Sequence, residues 1–563
     1  MSFMPHNVRG EARHVREDSE FMTLSEMTVG PVTTGKDRFR RGLPWLMAAL
    51  ALGAIVFAIW KLESSTNGLA ISTQRLGKTP VTVFRPATGQ GAATATGADR
   101  TPVILIAHGF AGSQQLMQPF AVTLARHGFV AVTFDFPGHG RNSVPMRGGL
   151  ADQNESLRVL LASMDELGKF AQGLPGADGR YAVIGHSMAS DIVVRHAQAH
   201  PEVQATVGVS LFAPSITADT RGDSPRNLLV IDGALEPSMM SIEALRVVGR
   251  VAGPAAATST TYGDFREGTA RRATLSPGAE HIGVLYNAST LSETLAWLNA
   301  AFARPSGKDN FVDARGPWLG MLLAGVVLLA WPLSRCLPHV GPGGKTFSPR
   351  VRWWRWRGQA PVTVLPALLT PLALWKVPSD FLPILLGDYL VLHFGLYGLL
   401  TILGLMLTGR PMPRIASGHA AALGVAILLT TAYALFMVGV PVDRYLFNVR
   451  PEVVRLPLIL AMCAGTLPYF LADEWLAREA RAAPGAYFVS KLCFLLSLVL
   501  AIALNPHRLF FLAMIVPAIL LLFVVYGLFS RWVYRQTGHP AVAATANALA
   551  FGCFIGVTFP LVA

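Results

Sequence analysis

The chain has 563 residues, 52% hydrophobic and only 14% charged, with a net charge of +13. Soluble domains carry about 25% charged residues, so an entirely soluble protein is excluded, and the apolar excess lies near residue 50 and beyond residue 316. Much of the basic excess flanks those apolar segments, which favours membrane topology over nucleic-acid binding, and the four cysteines all lie beyond 316, which excludes a disulfide framework or cysteine metal site in the middle of the chain.

Residues 1–41 are polar, mixed in charge and without sustained periodicity, the pattern of a mobile tail. GLPWLMAALALGAIVFAIWKL (42–62) then supplies the ~20 apolar residues that cross a bilayer. A long polar leader precedes it and no A-x-A site follows. It therefore reads as an uncleaved signal anchor rather than a cleaved signal peptide.

The middle segment, 63–316, alternates short apolar runs with helical patterns. Strands are expected at 81–86, 102–110, 129–136, 181–187, 206–212, 227–233 and 271–278. Helices are expected near 114–126, 153–173, 187–199, 239–252 and 288–303. This alternation predicts an α/β domain with a mostly parallel sheet, whose functional groups gather at the carboxyl ends of the strands.

One stretch, YAVIGHSMASD (181–191), is strand, turn and helix start together. Its Gly185-His186-Ser187-Met188-Ala189 is one alanine away from the G-x-S-x-G elbow, in which small residues let a serine occupy a strained turn. The helix N-terminus behind Ser187 offers free N–H groups to a developing oxyanion. A nucleophilic serine needs a base, and the base needs an orienting acid, in the chain order Ser, acid, His. NLLVIDGALEPSM ends a strand with two acids, Asp232 and Glu236, and LSPGAEHIGVLY places His281 past the last strand.

With these pieces in order, residues 75–305 resemble the α/β-hydrolase superfamily, nearest its dienelactone-hydrolase and serine-aminopeptidase-like branch. Four motifs carry the resemblance: HGFAGS (108–113), DFPGHGRNS (135–143), GHSMA (185–189) and GAEHIGVL (278–285). The resemblance implies a Ser187–His281–Glu236 triad, since Gly233-Ala-Leu-Glu236 fits the family's acid segment, with Asp232 as the alternative acid. It also implies an oxyanion hole from the backbone N–H groups of Phe110 and Met188, and chemistry without metal or cofactor. His108, His139, His186 and Asp135 are expected to pin loops. Only fourteen residues (213–226) separate two strands where lipases of the superfamily carry a helical cap. The site should therefore be open, or covered by the membrane block.

Eight further spans are expected at 317–334, 360–376, 382–407, 415–437, 456–473, 487–505, 509–530 and 541–562, nine in all. With a cytoplasmic N-terminus, the inside segments carry nineteen Lys/Arg and the short outside loops (376–381, 438–455 and 506–508) five, in accord with the positive-inside rule. RWWRWR (352–357) then reads as headgroup anchoring. The span at 360–376 is the weakest, carrying Pro361, Pro366 and Pro371. Asp388 and His393, ionisable residues inside a span, form a possible polar site. Asp443, Arg444, Arg450 and Glu452 occupy the longest outer loop and face the middle domain.

The expectation is a multi-pass protein of a bacterial inner membrane with a periplasmic serine hydrolase domain. It would cleave an ester or thioester of a small or lipid acyl substrate, with the bilayer as partner and no role for nucleic acid. An acyltransferase using the same triad, or a transporter or sensor with a hydrolase-like binding domain, are the alternatives.

Overall fold

The computed structural model describes residues 35–87, 100–149, 152–305, 310–342, 355–479 and 481–563. Residues 1–34 of the tail expected at 1–41, and the first half of RWWRWR, lie outside these residues. By its contacts the chain divides after Leu46, and Met47–Ala563 is one compact unit. Helix α1 (Gly35–Ser64) starts ahead of the expected span. The run from Lys36 to Arg41 is rich in good helix formers.

A nine-stranded sheet follows. Its strands are β1 (Leu69–Leu76), β2 (Thr79–Pro86), β3 (Thr101–Ala107), β4 (Val130–Phe134), β5 (Ala177–His186), β6 (Val203–Val209), β7 (Leu228–Gly233), β8 (Thr261–Tyr262) and β9 (Arg271–Ser276). Their order is β1-β2-β4-β3-β5-β6-β7-β9-β8. The run from β4 to β9 is parallel, and the outer pairs β1/β2, β2/β4 and β8/β9 are antiparallel. All seven expected strands are present. The two unexpected ones sit at the edges, where β1 is exposed along most of its length and β8 has two residues.

The sheet is buried on both faces because its central strands are apolar at every position rather than at alternate ones. On one face Val103, Leu105, Val132 and Val183 meet Met164 and Leu167 of α3 (Gln153–Gln172) and Val193 of α4 (Met188–Ala199). Leu228 and Val230 of the same face meet Val247 and Val248 of α5 (Ser238–Ala252). On the other, Ile104, Ile106, Ile184 and Ile231 meet Phe120 of α2 (Gln118–Arg126) and Trp297 of α6 (Ala288–Ala301). This is a three-layer α/β domain.

The remainder is helical: α7 (Gly316–Ser334), α8 (Trp356–Leu374), α9 (Gly387–Leu407), α10 (Ala420–Ala432), α11 (Gly439–Tyr445), α12 (Leu456–Arg478), α13 (Ala486–Leu504), α14 (Pro506–Leu509), α15 (Leu512–Thr537) and α16 (Pro540–Thr558). A π-helical stretch, Tyr433–Val438, joins α10 to α11. Small residues bring the central helices together. A Cβ on Gly465 of α12 would strike the backbone of Val391 in α9, and one on Gly552 of α16 would strike Cys463 of α12. The apolar window of α16 is 72% buried, the highest share among the candidate spans, so α16 forms the bundle's interior with α12.

Eight described helical segments are long and apolar enough to cross a membrane, and α8 is not among them. Its three prolines and its polar first turns lower its hydropathy. Even so, α8 runs beside α13 for its whole length. Near one end the Trp356 indole donates to Pro484 O at 3.2 Å, and past the other end the Trp375 indole donates to Leu504 O at 2.9 Å.

The carboxyl edge of the sheet meets one end of the bundle. Arg141, after β4, pairs with Asp443 at 2.6 Å. Asn448 N–H donates to Ser113 Oγ, after β3, at 3.0 Å. Arg455 is buried and donates to Phe559 O at 2.8 Å, Gly138 O at 3.0 Å and Gly556 O at 3.2 Å. The segment Pro560–Ala563 is sewn between the two parts: Leu561 N–H donates to Gly138 O, Met146 N–H to Leu561 O and Leu385 N–H to Pro560 O, at 2.8–2.9 Å.

Candidate active site

The elbow forms because β5 carries glycine, Gly185, as its last residue but one. A Cβ on Gly185 would strike the Ala189 carbonyl, so only glycine lets α4 turn back so closely on β5. The position that is glycine in the fullest form of the motif is Ala189, fully buried without strain at its own backbone. Ser187 between them sits at φ 54°, ψ −116°, a conformation a non-glycine residue holds only where its surroundings force it. Its N–H is bonded to Val209 O at 2.9 Å, which fixes the turn against β6.

His281, after β9, reaches Ser187 Oγ with Nε2 at 3.0 Å. Its Nδ1 faces Glu236 Oε1 at 2.6 Å. The loops carrying the two are pressed together: a Cβ on Gly233 would strike Ala279 O, and Leu235 N–H donates to that same carbonyl at 2.9 Å. Burial alone would raise the Glu236 carboxyl. Hydrogen bonds from His281 and Gly233 N–H outweigh it and hold the group below the usual carboxylate range. Glu236 Oε2 accepts from Gly233 N–H at 2.6 Å and Ser210 Oγ at 2.9 Å.

Asp232 is also near, yet its environment differs. It is fully buried, and Oδ1 accepts from Leu211 N–H at 3.1 Å while Oδ2 has no hydrogen-bond partner among the described residues. Burial pushes its carboxyl up to about 7, against the Leu211 hydrogen bond. Of the two acids, Glu236 is the one on the histidine. Phe110 and Met188 flank Ser187, since Met188 opens α4 and a Cβ on Gly109 would lie 3.1 Å from Ser187 Cβ. The ring of Phe110 packs on Phe511, at the start of α15, with centroids 4.8 Å apart.

The other histidines hold backbone. His186 Nε2 bonds His281 O at 2.9 Å, His108 Nε2 accepts from Phe136 N–H at 3.1 Å, and His139 Nδ1 bonds Pro137 O at 2.9 Å. Burial drives all three down, His108 to about 4 and the other two to about 3, so they are neutral at pH 7. Asp135 accepts from Gln114 N–H and Arg141 N–H and closes the loop after β4. Two contributors escaped the sequence reading. Ser210 (φ 51°) bears on the site through tertiary contact alone, and Phe511 comes from a different part of the chain. A polar residue ending an apolar strand, as Ser210 does, was the one available signal.

Asp388 and His393 share no hydrogen bond among the described residues. The Asp388 carboxylate collects the N–H groups of Phe381 and Leu382 and so closes the turn into α9. His393 bonds Ser497 of α13 at 3.1 Å and Tyr389 at 3.3 Å. At the opposite edge of the sheet, Asp165, His196 and His200 form the one group among the described residues that brings three metal-type ligands together. Asp165 Oδ1 there accepts from both rings at 3.0 Å.

Residues 98–251 match the model of a family described as serine aminopeptidase, S33, within the α/β-hydrolase superfamily. The matched span holds Phe110, Ser187, Met188, Asp232 and Glu236 and stops before His281. Among solved structures, the chain is similar to a CIB-like hydrolase from Thermoplasma acidophilum (15% identity, TM-score 0.30), covering 42% of this chain and 99% of that one. It is similar also to a membrane phospholipase A titled a bacterial virulence factor (14%, TM-score 0.29), with 47% and 99% covered. A third is Est1E from Butyrivibrio proteoclasticus (13%, TM-score 0.28), with 42% and 100% covered. No curated protein matches the chain.

Proposed function

We propose that this chain, an α/β-hydrolase domain joined to a bundle of apolar helices, is a serine hydrolase that cleaves an ester or thioester through an acyl-enzyme. The reading rests above all on the unbroken line of hydrogen bonds from Ser187 Oγ through His281 to Glu236, with the serine held on a strained elbow.

Ser187 Oγ attacks the acyl carbonyl while His281 Nε2 takes its proton. The negative charge on the carbonyl oxygen is met by the N–H groups of Phe110 and Met188, aided by the N-terminus of α4. The C–O or C–S bond then breaks, and the proton on Nε2 goes to the leaving group. Water, deprotonated by the same nitrogen, attacks the acyl-enzyme and restores the serine. Throughout, Glu236 holds the ring in the tautomer with Nδ1–H and stabilises the imidazolium. Ser210 and Gly233 hold Glu236 in turn.

Nine crossings fit the course of the chain, with α8 as the return between α7 and α9. The α7 start and the α9 start both lie at the hydrolase end of the bundle, because Ile384 bridges to Leu561 there. The charge bias of the loops then puts residues 1–41 in the cytoplasm and 63–316 in the periplasm of a bacterial inner membrane, with 317–563 as the eight-span block. Labelling of the full-length protein with a fluorophosphonate tests the chemistry. Wild-type protein should label, and Ser187→Ala should not. Equal resistance in both would overturn the enzyme reading. Exposure of residues 63–316 to protease added outside intact spheroplasts tests the topology.

A further inference from the structure

The loops that carry the triad leave a set of large apolar side chains uncovered. Leu235, beside Glu236, is 67% exposed, and Met239 and Ile242 on α5 are 60% and 66% exposed. Met239 and Ile242, three apart, share one face of α5, and Leu235 lies in the turn that leads into it. The buried face of α5 is a different one, Ala244, Val247 and Val248, so these three contribute nothing to the core. Phe212, after β6, and Ile282, next to His281, are exposed as well. Scattered exposed apolar residues are ordinary. Five carried by the loops and the helix start next to one site mark a surface with an apolar partner.

The identity of that partner follows from where the site lies. The elbow touches Gly109, Phe110 packs on Phe511, and the next residue, Leu512, begins α15, a candidate membrane span. Ser187 is therefore separated from the start of a span by two side chains. Phe510, next to Phe511, is itself exposed and lies at the same level. The loops after β3 and β4 sit on the ends of the helices. The loops after β6, β7 and β9 belong to the same edge of the sheet, displaced sideways in strand order. Among the described residues no helix lies between β6 and β7 to cap them, and what surrounds a bundle of spans at that level is lipid.

We propose that this part of the edge rests on the bilayer leaflet nearest the hydrolase domain, with Leu235, Met239 and Ile242 in the boundary between headgroups and acyl chains. The substrate is then a long-chain acyl ester or thioester resident in that leaflet, and its carbonyl reaches Ser187 sideways from the membrane. The substrate class rests on the serine-hydrolase reading; the lipid contact does not. Amphipathic surfaces that carry large apolar residues bind in this way, immersed to the depth of one layer of side chains.

The contact is tested on full-length protein in phosphatidylcholine vesicles, with its four cysteines replaced by serine. A bimane is attached at Met239→Cys or, as control, at Glu267→Cys in the turn at the far edge of the sheet. Brominated phosphatidylcholine should quench the first by at least half and the second by little. Equal, weak quenching at both positions overturns the contact, including the case in which a second copy of the chain covers the face. The substrate class is tested by comparing p-nitrophenyl palmitate carried in the vesicles with p-nitrophenyl butyrate in water. Met239→Asp/Ile242→Asp should lower the palmitate-to-butyrate rate ratio at least tenfold. An unchanged ratio, or butyrate turnover with none of palmitate, overturns the substrate class while the hydrolase reading stands. Failure on both esters, together with no fluorophosphonate labelling, overturns the hydrolase reading, and the quenching then still decides the lipid contact.

Discussion

Two stretches of the same sheet edge handle their polar groups in opposite ways. After β3 and β4, the loops are pressed against the helix bundle, and the main buried polar side chains are committed chiefly to backbone: Asp135 to Gln114 and Arg141 N–H, His108 to Phe136 N–H, Arg455 to three carbonyls. After β5, β7 and β9, the side chains Ser187, Glu236 and His281 are committed chiefly to one another, and a third of the His281 side chain is exposed. The difference separates support from reaction. A group fully bonded to backbone cannot exchange a proton at neutral pH without breaking structure, whereas a side-chain relay with an open end can.

Substitutions on the two stretches should therefore fail in different ways. The largest effect belongs to Ser187→Ala and His281→Ala. Each should cut turnover by on the order of 10⁴–10⁶ with no change in melting temperature. A melting shift comparable to that of a core variant would place these residues with the support. Next, Glu236→Gln should cost about 10³–10⁴ in kcat, since the amide cannot stabilise the imidazolium. Asp232→Asn should cost less than about tenfold. The reverse ranking would exchange the acids.

On the docked stretch, Arg455→Met removes the guanidinium hydrogen bonds to three carbonyls, of which only Gly138 O keeps a second donor, Leu561 N–H. It should reduce stability by about 3 kcal/mol, read by thermal unfolding in detergent, while the folded fraction keeps its specific activity. Asp232 sets a pH dependence. Its folded value near 7 lies above the ordinary 3.8, so the folded state holds that proton more tightly. Stability should then fall as pH rises from about 4 to about 7, by at most about 1.4 kcal/mol per unit. Asp232→Asn should flatten that slope. Glu236, held below its ordinary range, acts with the opposite sign and is lost as pH falls through its folded value. The smallest effect is that of Arg141→Ala, where a half-exposed ion pair contributes up to about 1 kcal/mol.

What the sequence reveals about this molecule follows the range of the forces involved. The seven inner strands are visible because both faces are buried and the apolar runs are continuous. The edge strand β1, LAISTQRL, has no buried face and so no pattern. The elbow, the acid and the base are visible because each is a local motif at a strand end. The choice between Asp232 and Glu236 needs the loop after β9 to be packed on the loop after β7, which only the fold supplies. Arg455 illustrates the same limit in the helical block. In sequence it is one more basic residue of an outer loop, and in the structure it is fully buried under the hydrolase domain.

The seam at Pro560–Ala563 has a bearing on how the molecule comes to be made. The loop around Gly138 and Met146 waits for partners that lie 415 positions or more further along the chain. The α/β domain can close its own core early in synthesis, because its strands and helices are consecutive. Its seat on the bundle is complete only once α16 has been inserted and the residues after it have emerged. Contacts of such long range form slowly. An interval therefore exists in every molecule's assembly during which the hydrolase domain is folded and tethered but not yet locked in register with the membrane beneath it.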